Sequence, residues 1–266
     1  MLKLNFAKSS VKSSVKSLRH LLILSVAVIV LPACSAIQPL DAVDAAAPMH
    51  TVDSIVKDDV EYAVDVYDPW EGMNRNIYIF NAELDRYVLI PVVTAYDDYV
   101  PFFLRQGIHN FYSNLNSITH TINSALQLNG ETTVNNGMRF ISNTTIGIVG
   151  IFDIATQMGF PEIKEDFGQT LGYWGVNDGP YIVLPFFGPS NLRDTTGLVT
   201  DSLIASWYLD ELGLNGDDGW MYFYYVMNGI DTRAHTPFRY YQAGSPFEYE
   251  TIRWLYTSAR QAQIAR

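Results

Sequence analysis

From residue 67 to the C-terminus, apolar positions recur every three or four residues more often than they alternate. Met73, Ile77, Phe80, Leu84 and Val88 keep that spacing, which sets them on one face of a helix. The segment opens with Asp68-Pro69-Trp70-Glu71. Asp68 suits a cap, Pro69 the first helical position, and Glu71 the closing residue of a capping box. A second helix is expected from near Pro101. Its stripe of Leu104, Ile108, Phe111, Leu115, Ile118, Ile122 and Leu126 runs until Asn129-Gly130, a turn signal. A third runs from about Glu131 through Thr144–Ala155, where Ile146, Ile148, Val149, Ile151, Phe152 and Ile154 are apolar on nearly every side. A helix of that kind is buried in a core or faces lipid. A final helix opens at Ser245-Pro246-Phe247-Glu248, another capping box, and continues through Ile252, Leu255 and Ala259. Strand signals are few, and Tyr181 to Phe187 is the best of them. The expected class is mainly α, with residues 67–266 forming one domain.

Between Phe167 and Gly197 the pattern changes. Gly168, Gly172, Gly175, Gly179 and Gly188, with Pro180, Pro185 and Pro189, interrupt Tyr173, Trp174, Tyr181, Phe186 and Phe187. Glycine and proline at that density argue against a long regular element. The segment is nevertheless too aromatic for a solvated linker. It reads either as an irregular cover over the helical core or as a membrane-embedded, conduit-lining element.

The first 33 residues are different again. Lys3, Lys8, Lys12, Lys16 and Arg19 precede Leu21 to Val30, which is apolar except for Ser25, and no acid occurs before Asp41. This is the layout of a secretory signal peptide, and the apolar run is well short of the ~20 residues that span a bilayer as a helix. Cys34, the sole cysteine, follows in Leu31-Pro32-Ala33-Cys34-Ser35. A lone cysteine builds no disulfide framework. The motif resembles a bacterial lipobox, with Pro32 an unusual occupant, and implies that Cys34 is lipidated and becomes the mature N-terminus. Ser35 resembles an outer-membrane sorting signal. The alternative is an ordinary signal peptide with an incidental cysteine. Residues 34–66, rich in Ala and Asp, read as a lipidated flexible tether that buries too little to order itself, with a short helix near Val52–Val64 as a weak alternative.

Removing residues 1–33 leaves 12 Lys+Arg against 28 Asp+Glu, a net charge of −16. Such a surface repels phosphate backbones and argues against nucleic-acid binding. Only Lys57 and Lys164 remain as lysines, so no polybasic patch draws the chain to anionic lipid. Enzyme signals are weak. His109, His120 and His235 read as isolated, with no zinc-ligand spacing. Gly188-Pro189-Ser190-Asn191 is no nucleophile elbow. The pairs Asp97-Asp98, Glu165-Asp166 and Asp217-Asp218 read as solvated surface, since adjacent side chains diverge. No cofactor or metal is expected.

Tyr67-Asp68-Pro69-Trp70-Glu71-Gly72-Met73-Asn74-Arg75 resembles the opening signature of the MlaA/VacJ lipoproteins. The resemblance continues through Ile79-Phe80-Asn81, Tyr99-Val100-Pro101, Asn110-Phe111, Asn114-Leu115, Arg139-Phe140 and Asn143-Thr144. Gly147, Gly150, Phe152-Asp153, Phe167-Gly168-Gln169-Thr170-Leu171-Gly172, Trp174-Gly175, Arg193-Asp194 and Ile230-Asp231-Thr232-Arg233-Ala234 extend it. It implies a ring-shaped helical lipoprotein lying in the outer membrane, facing the periplasm and bound to a trimeric porin. Such a protein removes misplaced phospholipids from the outer leaflet and passes them to a soluble periplasmic carrier, without covalent chemistry. On this basis Asn143, Thr144, Gly147, Gly150, Phe152, Asp153, Phe167, Gly168 and Trp174 are expected to line a lipid conduit. Asn74, Asn76, Phe80 and Asn81 are expected to take part in its gating. A porin-associated scaffold without a lipid path is the alternative, because the aromatics at Phe102-Phe103 and Tyr222–Tyr225 suit a protein interface equally well.

Overall fold

The computed structural model describes residues 66–214, 218–242 and 244–265. The expectations placed on residues 1–65, including the lipid site at Cys34, lie outside the described residues. The body is mainly helical, as the periodicity predicts. Helix α1 is Glu71–Leu84 and α2 is Ile90–Tyr99, joined by a π-helical turn at Asp85–Leu89. Pro91 explains that turn. It cannot donate to the preceding turn and its ring crowds the carbonyl four residues back, so the ladder widens and Ile90 N–H bonds Asp85 O instead. Helices α3 (Phe102–Leu126) and α4 (Gly130–Thr145) pack as a hairpin. Its connector ends at Asn129, whose side chain caps α4 by accepting from Thr132 N at 3.1 Å. Short helices α5 (Ile154–Gln157) and α6 (Phe167–Tyr173) follow, then an antiparallel hairpin of β1 (Tyr181–Leu184) and β2 (Gly188–Asn191), with Tyr181 opposite Asn191. Helices α7 (Leu192–Glu211), α8 (Asp218–Ala234) and α9 (Glu248–Ile264) complete the chain.

Several sequence expectations are corrected. Asp68 does not cap α1: the helix starts later, with Trp70 at its N-cap and no side-chain capping bond. Asp68 instead accepts from Asn74 Nδ2 at 2.7 Å, Tyr249 Oη at 2.6 Å and Arg253 Nη1 at 3.0 Å. Glu248 likewise closes no capping box. It is buried and accepts from Tyr78 Oη and the Tyr241 N–H, both at 2.7 Å. The third helix does not continue to Ala155; α4 stops at Thr145, and residues 146–153 form an irregular loop. The Phe167–Gly197 segment is not irregular throughout, since it contains α6, the hairpin and the first turns of α7. Helices α7 and α8 are additions to the expected set. Among the described residues, no helix is long and apolar enough to cross a membrane.

The helices bury many polar side chains and leave several large apolar ones exposed. In α1 the buried positions are Asn74, Tyr78, Asn81 and Ala82, whereas Met73 and Phe80 from the expected apolar stripe are exposed. In α3 and α4 the buried set includes Asn114, Ser117, Asn123, Ser124, Asn136, Arg139 and Asn143, while Val134, Ile141 and Leu126 face outward. Leu115 alone of the α3 stripe is fully buried, where it joins Tyr112, Tyr208, Leu209 and Tyr224 in a cluster shared with α7 and α8. A second cluster of Tyr78, Tyr181, Val183 and Tyr249 joins α1, the hairpin and α9. Both cores are rich in tyrosine, which supplies apolar area together with a hydroxyl able to reach a partner.

Candidate functional site: an apolar loop on a polar collar

The end of α4 and the loop from Ile146 to Asp153 bring six of the expected conduit residues together, Asn143 and Thr144 from the helix and Gly147, Gly150, Phe152 and Asp153 from the loop. Ile148, Val149 and Gly150 take consecutive positive φ values of 53°, 57° and 86°. Glycine adopts such a backbone readily; β-branched residues do so at a cost of ~1–2 kcal/mol each. Their side chains point away from the body: Ile148 is 59% exposed, Val149 60% and Phe152 53%.

Beneath this tip lies a collar of hydrogen bonds that holds the strained backbone. The Gly150 N–H donates to Asn143 O at 2.8 Å and Phe152 N–H to Gly147 O at 2.9 Å. Asn143 Oδ1 accepts from Ala155 N–H at 2.8 Å, while its Nδ2 donates to Asp153 at 3.2 Å. Asn110 Nδ2 donates to Ile151 O at 2.8 Å, and Asn114 Nδ2 to Thr144 Oγ1 at 2.9 Å. Arg139, almost wholly buried, donates to Thr156 Oγ1 and Phe160 O, each at 2.8 Å, and to Asp153 at 3.3 Å. Asp153 also caps α5 through Thr156. Burial pushes the Asp153 carboxyl up, but hydrogen bonds from Thr156 and Asn143 and the charge of Arg139 outweigh it, and the pKa lies below the usual carboxylate value.

Gly147 and Gly150 do not lie on a helix, although the expected third helix runs through both. A β-carbon on Gly147 would lie 2.2 Å from Phe152 O, and one on Gly150 2.6 Å from Asn114 Nδ2. Both glycines are needed for close packing inside the collar. Asn110, Asn114 and Arg139 are the supporting residues that reasoning from local pattern did not single out. Each occurs within a helical stretch, and only the tertiary path reveals its partner.

Phe167, Gly168 and Trp174 belong to another cluster. Phe167 N–H donates to Asp201 at 2.9 Å, and Trp174 Nε1 to Leu126 O at 3.1 Å. Gly168 lies against Asp194 and Arg260, with its backbone touching Gly197 on α7. Arg260 bridges Asp166 at 2.7 and 2.8 Å and Asp194 at 2.9 and 3.0 Å. Asp166 is therefore not solvated surface, and neighbouring Glu165 is buried. For both aspartates burial acts upward but the bonds and charge of Arg260 prevail, so each carboxyl is held below its usual range.

The α1 asparagines form a third arrangement. Asn74 accepts from Val183 N–H at 2.9 Å and donates to Tyr181 O at 3.0 Å. Asn81 accepts from Phe186 N–H and donates to Leu184 O, each at 2.9 Å. Two amides thus satisfy the open edge of β1 as a third strand would. Asn76 faces outward, and Phe80 meets Phe186 edge to face at 5.8 Å on the surface above.

The histidine reading is also corrected. His109 and His235 are not isolated: their rings stack at 3.8 Å between centroids, and His109 Nδ1 lies 2.9 Å from Asp231 Oδ2. His120 lies apart, with Nδ1 2.7 Å from Glu165 O, and burial pushes its pKa down.

The family model for the MlaA lipoprotein matches residues 66–263, nearly all of the described body. The chain belongs to the MlaA lipoprotein family. An uncharacterised protein of Rickettsia prowazekii is 34% identical over 205 residues, covering 76% of this chain and 79% of that one. An uncharacterised protein of Rickettsia conorii is 38% identical over 63% of this chain, a match that spans 61% of the relative's own length. The intermembrane phospholipid transport system lipoprotein MlaA of Escherichia coli is 37% identical over 63% of this chain and 66% of its own. A solved structure described as a structural basis for maintenance of bacterial outer membrane lipid asymmetry superposes with a TM-score of 0.61 at 32% identity. That superposition covers 74% of this chain and 98% of the other. The collar residues and the α1 asparagines all fall within the span of the MlaA family match.

Proposed function

We propose that this protein is an outer-membrane lipoprotein that withdraws mislocalised phospholipids from the outer leaflet and passes them to a soluble periplasmic carrier. It is not an enzyme in this reading. One observation carries it: an apolar loop tip, Ile148, Val149 and Phe152, stands on a collar of buried Asn143, Asn114 and Arg139 with the half-buried Asp153. Exposed apolar side chains in such number favour surroundings that are themselves apolar, while the collar amides bond to Thr144, Asp153 and the loop's backbone beneath them. A lipid needs the same two qualities along its path, an apolar lining for its tails and polar groups for its head. The helical body, ring-shaped and lying in the bilayer, borders that path. The loop with Asn143, Thr144, Gly147, Gly150, Phe152 and Asp153 forms one part of its wall, and the Phe167, Gly168 and Trp174 cluster another. The contacts of Asn74 and Asn81 with β1 hold the gate, with Phe80 over them and Asn76 on the outer face. Cys34 carries the acyl anchor. The names of the Escherichia coli relative and of the solved structure support the direction of this reading.

The experiment measures phospholipid in the outer leaflet of cells with the protein, without it, and with Phe152→Asp in its place. A charge at the loop tip should raise outer-leaflet phospholipid toward the level of the deletion while abundance and localisation stay normal. A correctly placed Phe152→Asp protein with normal lipid asymmetry would move the path away from the loop.

A second reading is favoured by helix α8, where Trp220, Tyr222, Phe223, Tyr225 and Val226 are exposed together. This aromatic face suits a trimeric porin. If the protein were only a scaffold on that porin, Phe152→Asp would change nothing, and photoreactive residues at 222 and 226 would crosslink to the porin rather than to lipid.

A further inference from the structure

We propose that His109, Asp231 and His235 form a site for one divalent transition-metal ion of the zinc class, tying α3 to the end of α8. Asp231 and His235 lie one helical turn apart, and His109, from more than a hundred residues earlier, joins them only in the fold. His109 lies on α3, Asp231 on the last turn of α8, and His235 just beyond it. Their ligand atoms all lie within 4.8 Å of one another. A tetrahedral ion with bonds of ~2.0–2.1 Å separates its ligand atoms by about 3.3 Å. The two carboxylate oxygens each face one ring: Asp231 Oδ2 lies 2.9 Å from His109 Nδ1 and Oδ1 lies 3.4 Å from His235 Nδ1, on either side of that value.

A second feature points independently to a ligand. Asp231 is 2% exposed, and its Oδ1 is buried with no hydrogen-bond donor. A carboxylate oxygen left so is costly, and a cation at this point supplies its missing partner. Two imidazoles and one carboxylate suit zinc and its first-row neighbours, whereas magnesium and calcium prefer all-oxygen sets. His235 is the most open of the three, with a side chain 41% exposed, and provides the way in. To direct both Nδ1 lone pairs at one ion, the rings must splay, and His235 Nδ1 must leave the Asp231 carbonyl it approaches at 2.9 Å. Three protein ligands leave a fourth position for water.

The test is titration of the full-length protein, purified in detergent without a polyhistidine tag, with Zn²⁺ by calorimetry and with Co²⁺ by visible absorbance. A slightly alkaline buffer keeps the imidazoles neutral. One ion per chain with micromolar or tighter affinity is expected, together with the visible band of tetrahedral cobalt and a rise in Tm on adding Zn²⁺. His235→Asn and His109→Gln should each weaken binding at least about tenfold, and His120→Gln should leave it unchanged. Absence of binding at about 100 µM Zn²⁺, or undiminished binding in a folded His109→Gln/His235→Asn double variant, overturns the site. Should that double variant fail to fold, His235→Asn alone, at its more open position, decides the matter in the same way. Because the readout is metal binding, the result is independent of whether the protein moves lipid.

Discussion

Gly150 approaches Asn114 so closely that a β-carbon built on it would stand 2.6 Å from the Asn114 side-chain nitrogen. The approach fixes the apolar loop to helix α3, because the same amide also holds Thr144 at the loop's entrance. Gly150→Ala therefore combines a steric overlap with a positive φ of 86° that alanine tolerates poorly. A loss of about 2 kcal/mol or more is expected. Gly130→Ala is the control, since nothing lies within 4 Å of its β-carbon position and helix propensity favours alanine. Thermal unfolding of the two variants in one detergent checks the contrast, and equal Tm values would refute the packing role.

The edge of β1 should depend on α1 in a position-specific way. Asn74→Leu strands the Val183 N–H and the Tyr181 carbonyl, both buried, at a cost of ~1–3 kcal/mol for each group left unsatisfied. Asn81→Leu removes the partner of the Phe186 N–H and of the Leu184 carbonyl, at a smaller cost because Phe186 is exposed and Leu184 only half-buried. Asn76→Leu, on the outer face, should stay within about 0.5 kcal/mol of the parent. Hydrogen exchange at the Val183 and Phe186 amides should accelerate only in the first and second variants, respectively. Uniform protection in all three would mean that the asparagines do not hold the strand.

Helix periodicity made the first, second and final helices legible because it depends only on spacing, but it did not reveal which face turns inward. In α1 Met73 and Phe80 of the apolar stripe are on the outside, and the buried side includes Asn74 and Asn81, whose partners lie more than a hundred residues away. The end of α4 was hidden for a related reason. An apolar run through Ile148 and Val149 has every local reason to remain helical, and it leaves the helix only because Asn110, Asn114 and Asn143 bind the loop's backbone and neighbours. Helix α7 was obscured by Gly197, which looks like a breaker. It is required there because a β-carbon would lie 2.3 Å from Gly168 N on α6. The stacked histidines fall 126 positions apart, beyond the reach of any motif.

The Arg260 bridge should make stability sensitive to acid. Asp166 and Asp194 have folded pKa values below their usual ones. The unfolded carboxylates, with pKa near 3.9, thus bind protons first as pH falls. The sign follows: the contribution of the pair is fully present above about pH 5 and is lost as pH drops through the unfolded value toward the folded ones. Arg260→Gln should lower Tm at pH 7, where it leaves Asp166 without its cation and Asp194 with Arg193 alone, and the gap from the parent should narrow below about pH 4. Melting curves across that window check the prediction, and a gap independent of pH would assign the arginine's role to packing alone.

Strain at the loop tip offers the sharpest separation of stability from function. Ile148 and Val149 occupy the left-handed region at φ 53° and 57°, where β-branched side chains crowd their own backbone. Neither is repaid by burial within the protein, since both are more than half exposed. Asparagine accepts this backbone far more easily. Val149→Asn should therefore raise stability in detergent by ~1 kcal/mol, as relief of a conformation that costs ~1–2 kcal/mol. If the apolar side chain is retained because it contacts acyl chains, the same substitution should raise outer-leaflet phospholipid in cells despite the more stable fold. The two readouts move in opposite senses only when the strain serves the loop's work at the membrane. A Val149→Asn protein that is more stable and maintains lipid asymmetry normally would show that the tip needs its shape but not its apolar surface. A variant of lower Tm would show instead that Val149 has packing partners worth more than the strain it bears.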